Sequence, residues 1–274
     1  MNFDYDVFTG PAEESTRFIE FVDWVLLTRE TSDIQRFHLV FLADEDRIEC
    51  DMLIKTLVKW IYAVVRRNIQ ELSIKMGMSL IFLLPDCLFN CKSLMKLELT
   101  SRDDRYVKIK LPNSMGIPRL KCLILNLVIS FDTSFSKFIS SCPVLETLIA
   151  RTTHGSGTSD QYITINSSTL KHLKIKDRGY STGKLTINTP NLTSFVCQDH
   201  MRNNYCLEEL PSLVAADIEM YVEAHYDGDH NVEFPEAYLE LAEDLRVVFA
   251  ERMLKFLRAL HGVKELKLSP GFFE

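Results

Sequence analysis

The chain has 274 residues, of which 46% are hydrophobic and 25% charged, so it is long and apolar enough to bury a large core. It has 31 Lys and Arg and 38 Asp and Glu, which gives a formal net charge of −7. General nucleic-acid binders need a basic excess to displace counterions, so this balance excludes that class. No segment approaches the roughly 18 uncharged apolar residues of a membrane span. The N-terminal MNFDYDVFTGPAEE also lacks the basic and apolar regions of a secretory signal, so we expect a cytoplasmic or nuclear protein without membrane contact.

The seven cysteines are scattered along the chain, and no two of them form a Cys-x-x-Cys pair. An odd number of dispersed cysteines does not indicate a disulfide framework or a zinc site. We therefore predict free thiols, most of them in apolar positions, which agrees with a reducing compartment.

Two helical patterns come first in the chain. One spans residues near 15–29, and the other fills the spacer after residue 40 with apolar residues up to Val65. Trp24 and Trp60 lie on the apolar sides of these patterns, so core packing is predicted for both. The first helix is interpreted as an N-terminal cap.

A motif of the form apolar-x-x-apolar-x-apolar then recurs every 21 to 26 residues. One such hexamer has little weight, but seven in succession indicate a solenoid. Two further copies, at Ile34 and Val263, follow longer spacers. The first apolar residues of the seven regular copies are Ile69, Leu94, Leu120, Leu145, Leu170, Leu192 and Leu213.

Side-chain alternation explains what each copy does. The second and third apolar residues are two apart, so they share one face of a strand and point into the core. Stacked copies form a parallel sheet whose other face is predicted to be the concave surface. Return segments such as FSKFISSCPVL suit a short helix, whereas YITINSSTL alternates and suits an extended stretch. The convex side should therefore mix helix and strand.

The C-terminal part contains an acidic loop, EAHYDGDHNVEFPE, and a helical pattern near residues 239–261 that ends at Gly262. This helix is predicted to cover the last repeat. The expected fold is one α/β leucine-rich-repeat domain over residues 1–274, with about nine parallel strands and helical caps at both ends. Its parts are a cap over 1–33, repeats over 34–219, and the acidic loop, helix and last strand over 220–274.

Several runs together resemble the leucine-rich-repeat region of plant F-box proteins, in particular the FBD-associated subgroup. They include FIEFVDWVLLTRETSDIQRFHLVF (18–41), LPDCLFNCKSLMKLEL (84–99), FISSCPVLETLIA (138–150), LTINTPNLTSFVC (185–197) and LHGVKELKLS (260–269). The resemblance implies that the repeats recognise a substrate protein, while an N-terminal F-box docks on the Skp1 adaptor of a cullin-based ubiquitin ligase.

The chain departs from that pattern at both ends. No F-box is found ahead of MNFDYD, and the sequence stops at LKLSPGFFE, where relatives would continue into an FBD domain. Contact with Skp1 or cullin is thus not expected through this chain alone. The alternative is a free-standing scaffold or decoy that is not linked to ubiquitination.

The candidate partner site lies where unusual residues occupy outward strand positions. Ile124, Ile149 and Val196 are apolar at these positions, and Asn126 and Thr147 are polar neighbours of the isoleucines. A basic group lies beside them and comprises Arg151, His172, Lys174 and Lys176. This set predicts a docking surface for a protein with an apolar anchor and acidic flanks. In the alternative, a return segment covers the apolar positions and the lysines are simply solvated. A small phosphorylated ligand is a weaker option, because four cations are few for it.

Two polar clusters contain residue types that occur in metal or catalytic sites. HYDGDH (225–230) contains metal-ligand residue types, but its spacing matches neither a calcium loop nor a zinc site. THGSGTSD (153–160) contains His154 and Ser156, but closeness in sequence is not triad geometry. We therefore predict a non-enzymatic protein with no catalytic residue, metal or cofactor.

Overall fold

The computed structural model describes residues 1–5, 13–28, 33–42, 50–77, 80–102, 107–111, 116–129, 133–152, 161–177, 183–200, 204–221 and 243–269. The acidic segment HYDGDH and the segment THGSGTSD lie outside the described residues. The elements, in chain order, are β1 (Asn2–Asp4), α1 (Glu13–Thr28), β2 (Arg36–Phe41), α2 (Cys50–Val65), β3 (Glu71–Met76), β4 (Leu80–Leu83), a 3-10 helix (Asp86–Leu88), β5 (Lys96–Ser101), β6 (Val107–Lys110), β7 (Cys122–Ile129), α3 (Thr133–Ser140), β8 (Thr147–Thr152), β9 (Gln161–Asn166), β10 (His172–Asp177), β11 (Gly183–Asn188), β12 (Ser194–His200), β13 (Asn204–Leu207), β14 (Ala215–Tyr221), α4 (Glu243–Ala259) and β15 (Glu265–Leu268).

Most strands join one long parallel sheet, in the order β1-β2-β3-β5-β7-β8-β10-β12-β14-β15. The predicted α/β leucine-rich-repeat solenoid is confirmed. In the part of the chain that the structure describes, ten strands follow this order and β4 and β6 attach beside it. The stack has one strand more than the predicted nine, because β1 pairs in parallel with β2 at the N-terminal edge, within the segment assigned to the cap. Strand β1 has three residues, and only Phe3 among them is buried, so it is too short to show a strand pattern in the sequence.

A repeated backbone contact fixes each strand to the next. The carbonyl oxygen just before a strand accepts hydrogen bonds from two successive N–H groups of the following unit, as Gln70 does from Met95 and Lys96 at 2.8 and 3.0 Å. The same arrangement recurs at Gln35, Met95, Lys121, Glu146, Lys171, Thr193 and Val214. The sequence repeat is thus also a repeat of hydrogen bonding, which explains why its period sets the strand stacking.

The core is built from the inward apolar pair of each copy. Leu148 and Ala150 of β8 are fully buried, and Leu123 and Leu173 lie beside Leu148 in the neighbouring strands. Each buried leucine of this kind contributes about 1.5 to 3 kcal/mol through removal from water. The predicted inward register is therefore confirmed.

The N-terminal helices differ in one respect from the prediction. Trp60 of α2 is 1% exposed, and its Nε1 donates to Asp23 of α1 at 2.7 Å. Trp24, by contrast, is 63% exposed, so its predicted core packing is wrong. The buried residues of α1 include Phe18, Val22 and Leu26. Trp24 follows Val22 by two residues, which turns it about 200° away from that stripe.

The side opposite the long sheet combines helix and strand, as predicted. β9, β11 and β13 form a second parallel sheet. Helix α3 packs against β9, where Ser136 Oγ accepts a hydrogen bond from the backbone N–H of Thr164 at 3.2 Å. At the other edge, α4 packs against β13. The C-terminal helix predicted near 239–261 is confirmed as α4, and the two helices cover edges that would otherwise expose strand backbone.

Candidate protein-binding surface

The side chains that point away from the core on the long sheet form three rows, which we call the exposed sheet face. Residues in one row pair directly across neighbouring strands. The first row comprises Arg36, Glu71, Lys96, Cys122, Thr147, His172, Ser194, Ala215 and Glu265; the middle row His38, Ser73, Glu98, Ile124, Ile149, Lys174, Val196, Asp217 and Lys267; and the third row Val40, Lys75, Thr100, Asn126, Arg151, Lys176, Gln198 and Glu219.

All the predicted site residues lie on these rows, in the register that the sequence indicated. Thr147 and His172 belong to the first row, and Asn126, Arg151 and Lys176 to the third. Ile124, Ile149, Lys174 and Val196 belong to the middle row. The structure thus brings them together on adjacent strands, about 4.8 Å apart from one strand to the next.

The middle row contains an apolar patch formed by Ile124 and Ile149, with Val196 beyond Lys174. Each of these side chains is partly exposed, as are the charged Glu98 and Lys174 of the same row. Neighbours on both sides within the sheet account for this partial burial. The patch is therefore partly open to solvent, as are the ionised groups beside it.

The basic group follows directly after the apolar patch. Lys174 makes no salt bridge or side-chain hydrogen bond with any of the described residues. Arg151 and Lys176 are neighbours in the third row, on β8 and β10. The centre of the exposed sheet face therefore offers cationic groups next to an apolar patch.

The sequence reasoning missed two further cations at the edge of this site, Lys121 and Lys171. They occupy the position just before β7 and β10, and Glu146 occupies the same position before β8. Lys171 Nζ lies 3.0 Å from Glu146 Oε2. This hydrogen bond and the charge of Lys171 lower the pKa of Glu146, with smaller contributions from Lys121 and His172. A repeat-by-repeat comparison of the residue preceding each strand would have found them.

The charges at the N-terminal end of the exposed sheet face are paired with one another. Arg36 Nε lies 3.1 Å from Glu71 Oε1, and Lys96 Nζ lies 3.0 Å from Glu98 Oε2. The hydrogen bond to Glu98 raises the pKa of Lys96. These side chains already have partners, so they offer an incoming ligand less than Lys174 does.

Acidic side chains predominate toward the C-terminal end. Asp217 is exposed and has no salt bridge or side-chain hydrogen bond within the described part of the chain. Glu219 accepts a hydrogen bond from Gln198 Nε2 at 2.6 Å. Lys267 pairs in register with Asp217 but forms no salt bridge with it. Between Ile124 and Asp217, the middle row therefore changes from apolar to basic at Lys174 and, after Val196, to acidic.

Thiol and metal chemistry receive no support from the described residues. Burial raises the pKa of Cys122, which belongs to the first row, and raises the pKa of Cys87 and Cys142 to about 11. These thiols stay protonated near neutral pH and are poor nucleophiles. Among the described residues, no group of three His, Cys, Asp or Glu side chains is placed to hold a metal ion. None of the described helices is both long and apolar enough to cross a membrane.

Stacked parallel strands with a repeating core pair and an open outer face define a leucine-rich-repeat solenoid protein. The family model described as "FBD-associated F-box protein At5g56370, LRR repeats" matches residues 57–222, more than half of the chain. The chain therefore belongs to the leucine-rich-repeat family of FBD-associated F-box proteins.

Individual relatives come from Arabidopsis thaliana. F-box/LRR-repeat protein At3g59210 is 29% identical over 231 residues, covering 79% of this chain and 45% of the relative. F-box/LRR-repeat protein At4g14103 is 28% identical, with coverages of 80% and 56%, and F-box protein At3g62430 is 31% identical, with coverages of 75% and 48%. The chain thus spans about half the length of these relatives. No solved structure matches it.

Proposed function

We propose that this chain is the substrate-recognition part of an F-box family ubiquitin-ligase receptor, a non-catalytic module that binds a protein on the exposed sheet face. One observation supports this most directly. Ile124 and Ile149 form an apolar pair on neighbouring strands, and Lys174, which has no ion-pair partner among the described residues, follows on the next strand. An apolar patch beside unpartnered charge is the arrangement that an interface uses for affinity and for specificity.

The chemistry of the surface defines the partner class. Its apolar patch favours a protein that inserts an apolar anchor, and the cations around it favour acidic residues on either side of that anchor. Lys121, Arg151, Lys171, Lys174 and Lys176 outnumber Glu98 and Glu146 in this area. A basic site in a chain of net charge −7 is a local feature, so it selects a partner rather than attracting polyanions in general.

Affinity purification followed by mass spectrometry tests the proposal. We expect Ile149→Asp and Lys174→Glu to lose the same partners, because one removes the apolar anchor site and the other reverses the adjacent charge. Ile81→Asp and Lys184→Glu are matched controls at exposed positions of β4 and β11. Thermal unfolding of each variant separates lost binding from lost folding. If both site variants keep every partner, the proposed surface is wrong.

The link to ubiquitination is tested separately. We do not expect the repeats themselves to bind Skp1 or cullin, so purified Skp1 should not be retained by this chain. Its recovery would contradict that expectation. Stable partners whose turnover is independent of cullin activity would favour a free-standing scaffold or decoy instead.

We also propose a cytoplasmic or nuclear location. The structure contains seven free cysteines, which is typical of a reducing compartment. Fluorescence microscopy of a tagged chain tests this, and a secreted protein would contradict it.

A further inference from the structure

The order of chemistry along the middle row has a fixed spacing. It runs from Ile124 and Ile149 through Lys174 and Val196 to Asp217, each on the next strand of the sheet. With about 4.8 Å between strands, Lys174 lies about 7 Å from the midpoint of the two isoleucines, and Asp217 about 17 Å from it. A partner that uses all three features must present matching side chains at those two distances.

Helix geometry meets both distances. Residues four apart on one helix face are separated by about 6 Å along the axis, and residues eleven apart by about 16.5 Å. An extended segment repeats its face about every 6.7 Å, so it reaches about 13 or 20 Å and misses the second distance by more than 3 Å. The row therefore fits a helix that lies across the strands better than an added strand.

Charge complementarity sets the direction of that helix. Lys174 and Asp217 are both without a salt bridge among the described residues, and Lys176 and Glu219 lie beside them in the third row with the same signs. Lys267 weakens the acidic end, since it pairs in register with Asp217. The basic centre is thus the stronger determinant and the acidic end the weaker one.

We infer that the exposed sheet face binds a helical segment of its protein partner that carries an apolar residue, then an acidic residue about one turn later, then a basic residue about two turns beyond that. The inference rests on the proposed function, because it identifies the kind of segment recognised at the same surface. The apolar residue contacts Ile124 and Ile149, the acidic residue Lys174, and the basic residue Asp217.

Two synthetic helical peptides of equal composition test the order of charges. The forward peptide places a leucine first, a glutamate four residues later and a lysine about eleven residues after the leucine; the reversed peptide exchanges glutamate and lysine. Fluorescence anisotropy at low salt should show the wild-type chain binding the forward peptide about tenfold more tightly. The K174E/D217K double variant should prefer the reversed peptide, and K184E should behave as wild type.

The other outcomes are equally informative. A forward peptide with prolines that prevent helix formation should bind more weakly; equal binding would contradict helical presentation. If the wild-type chain binds both helical peptides equally and Ile149→Asp abolishes both, the charge order is wrong while the proposed function stands. If neither peptide binds at millimolar concentration, the inference is overturned, and the purification experiment decides the proposed function independently.

Discussion

Ile124 of β7 and Ile149 of β8 lie directly opposite each other in the middle row of the exposed sheet face, and both are partly exposed to solvent. Each is flanked along its strand by inward leucine or alanine residues that are fully buried, such as Leu148 and Ala150. The core therefore does not need these two isoleucines, and polar residues occupy the same row at Ser73 and Glu98. Their place on the outer face is the reason that we propose this surface as the one that contacts a partner.

Neutralising Glu146 should strengthen the binding of an acidic partner. Glu146 accepts a hydrogen bond from Lys171 at 3.0 Å, and this pair masks part of the basic centre. We expect Glu146→Gln to tighten binding about twofold to fivefold at low salt and to steepen its salt dependence. Glu251→Gln, at an exposed position of α4, is the control. Weaker binding by Glu146→Gln would mean that the carboxylate itself contacts the partner.

Removing the hydroxyl of Tyr205 should destabilise the fold. Tyr205 Oη donates to the Oδ2 of Asp199, which is 1% exposed in the interior. Tyr205→Phe leaves that carboxylate short of a donor, so we expect a loss of about 1 to 3 kcal/mol in the free energy of unfolding, measured by urea denaturation. Tyr62→Phe, at an exposed position of α2, should change it little. Equal stability of the two variants would argue against a structural role for this hydrogen bond.

Truncating Phe256 should release helix α4 from the solenoid. Its ring meets Tyr205 edge-on at 5.6 Å between centroids and lies 6.2 Å from Phe195. We expect Phe256→Ala to cost about 3 to 5 kcal/mol and to increase hydrogen exchange in β13, the edge that α4 covers. Leu254→Ala, on the exposed side of the same helix, is the matched control. Unchanged exchange in β13 would show that α4 does not protect that edge.

Stability should fall at alkaline pH through Cys142. Burial raises the pKa of this thiol from 9.0 to about 11, so the folded state holds the proton where the unfolded chain releases it. The contribution of this thiol to stability is complete below pH 9 and falls by about 3 kcal/mol between pH 9 and about 11. In urea unfolding, Cys142→Ala should reduce the loss of stability between pH 9 and 11 relative to wild type. This holds whatever the substitution costs in the free energy of unfolding at pH 7. Cys50→Ala, at an exposed thiol, is the control.

The repeat was predictable because the residues of each copy follow the alternation of side chains in a β-strand. An inward apolar pair such as Leu148 and Ala150 follows from strand alternation, and once the pair is placed, the outward neighbours Thr147, Ile149 and Arg151 are placed as well. The whole exposed sheet face therefore followed from the spacing alone. Whether that face binds a partner stays a prediction.

Other features depend on packing that no local pattern reveals. The strand β1 is stabilised by pairing with β2, not by its own three residues. Trp24 was predicted to be a core residue because it was assigned to the apolar side of the helical pattern, yet the side of α1 that faces the core is set by Phe18, Val22 and Leu26. The pairing of Lys171 with Glu146 arises from adjacent repeats that are 25 residues apart in sequence. Such contacts require the stacked structure.

Site-specific photo-crosslinking tests the central claim most directly, because it reports contact and not merely loss of binding. A photoreactive amino acid would replace Ile149 on the exposed sheet face, or Ile81 as the exposed control on β4. We predict that irradiation in cells links the chain with residue 149 replaced to a specific protein, and that K174E in the same chain removes the crosslink. Equal crosslinking from residues 149 and 81, or a crosslink that K174E leaves unchanged, would contradict the account.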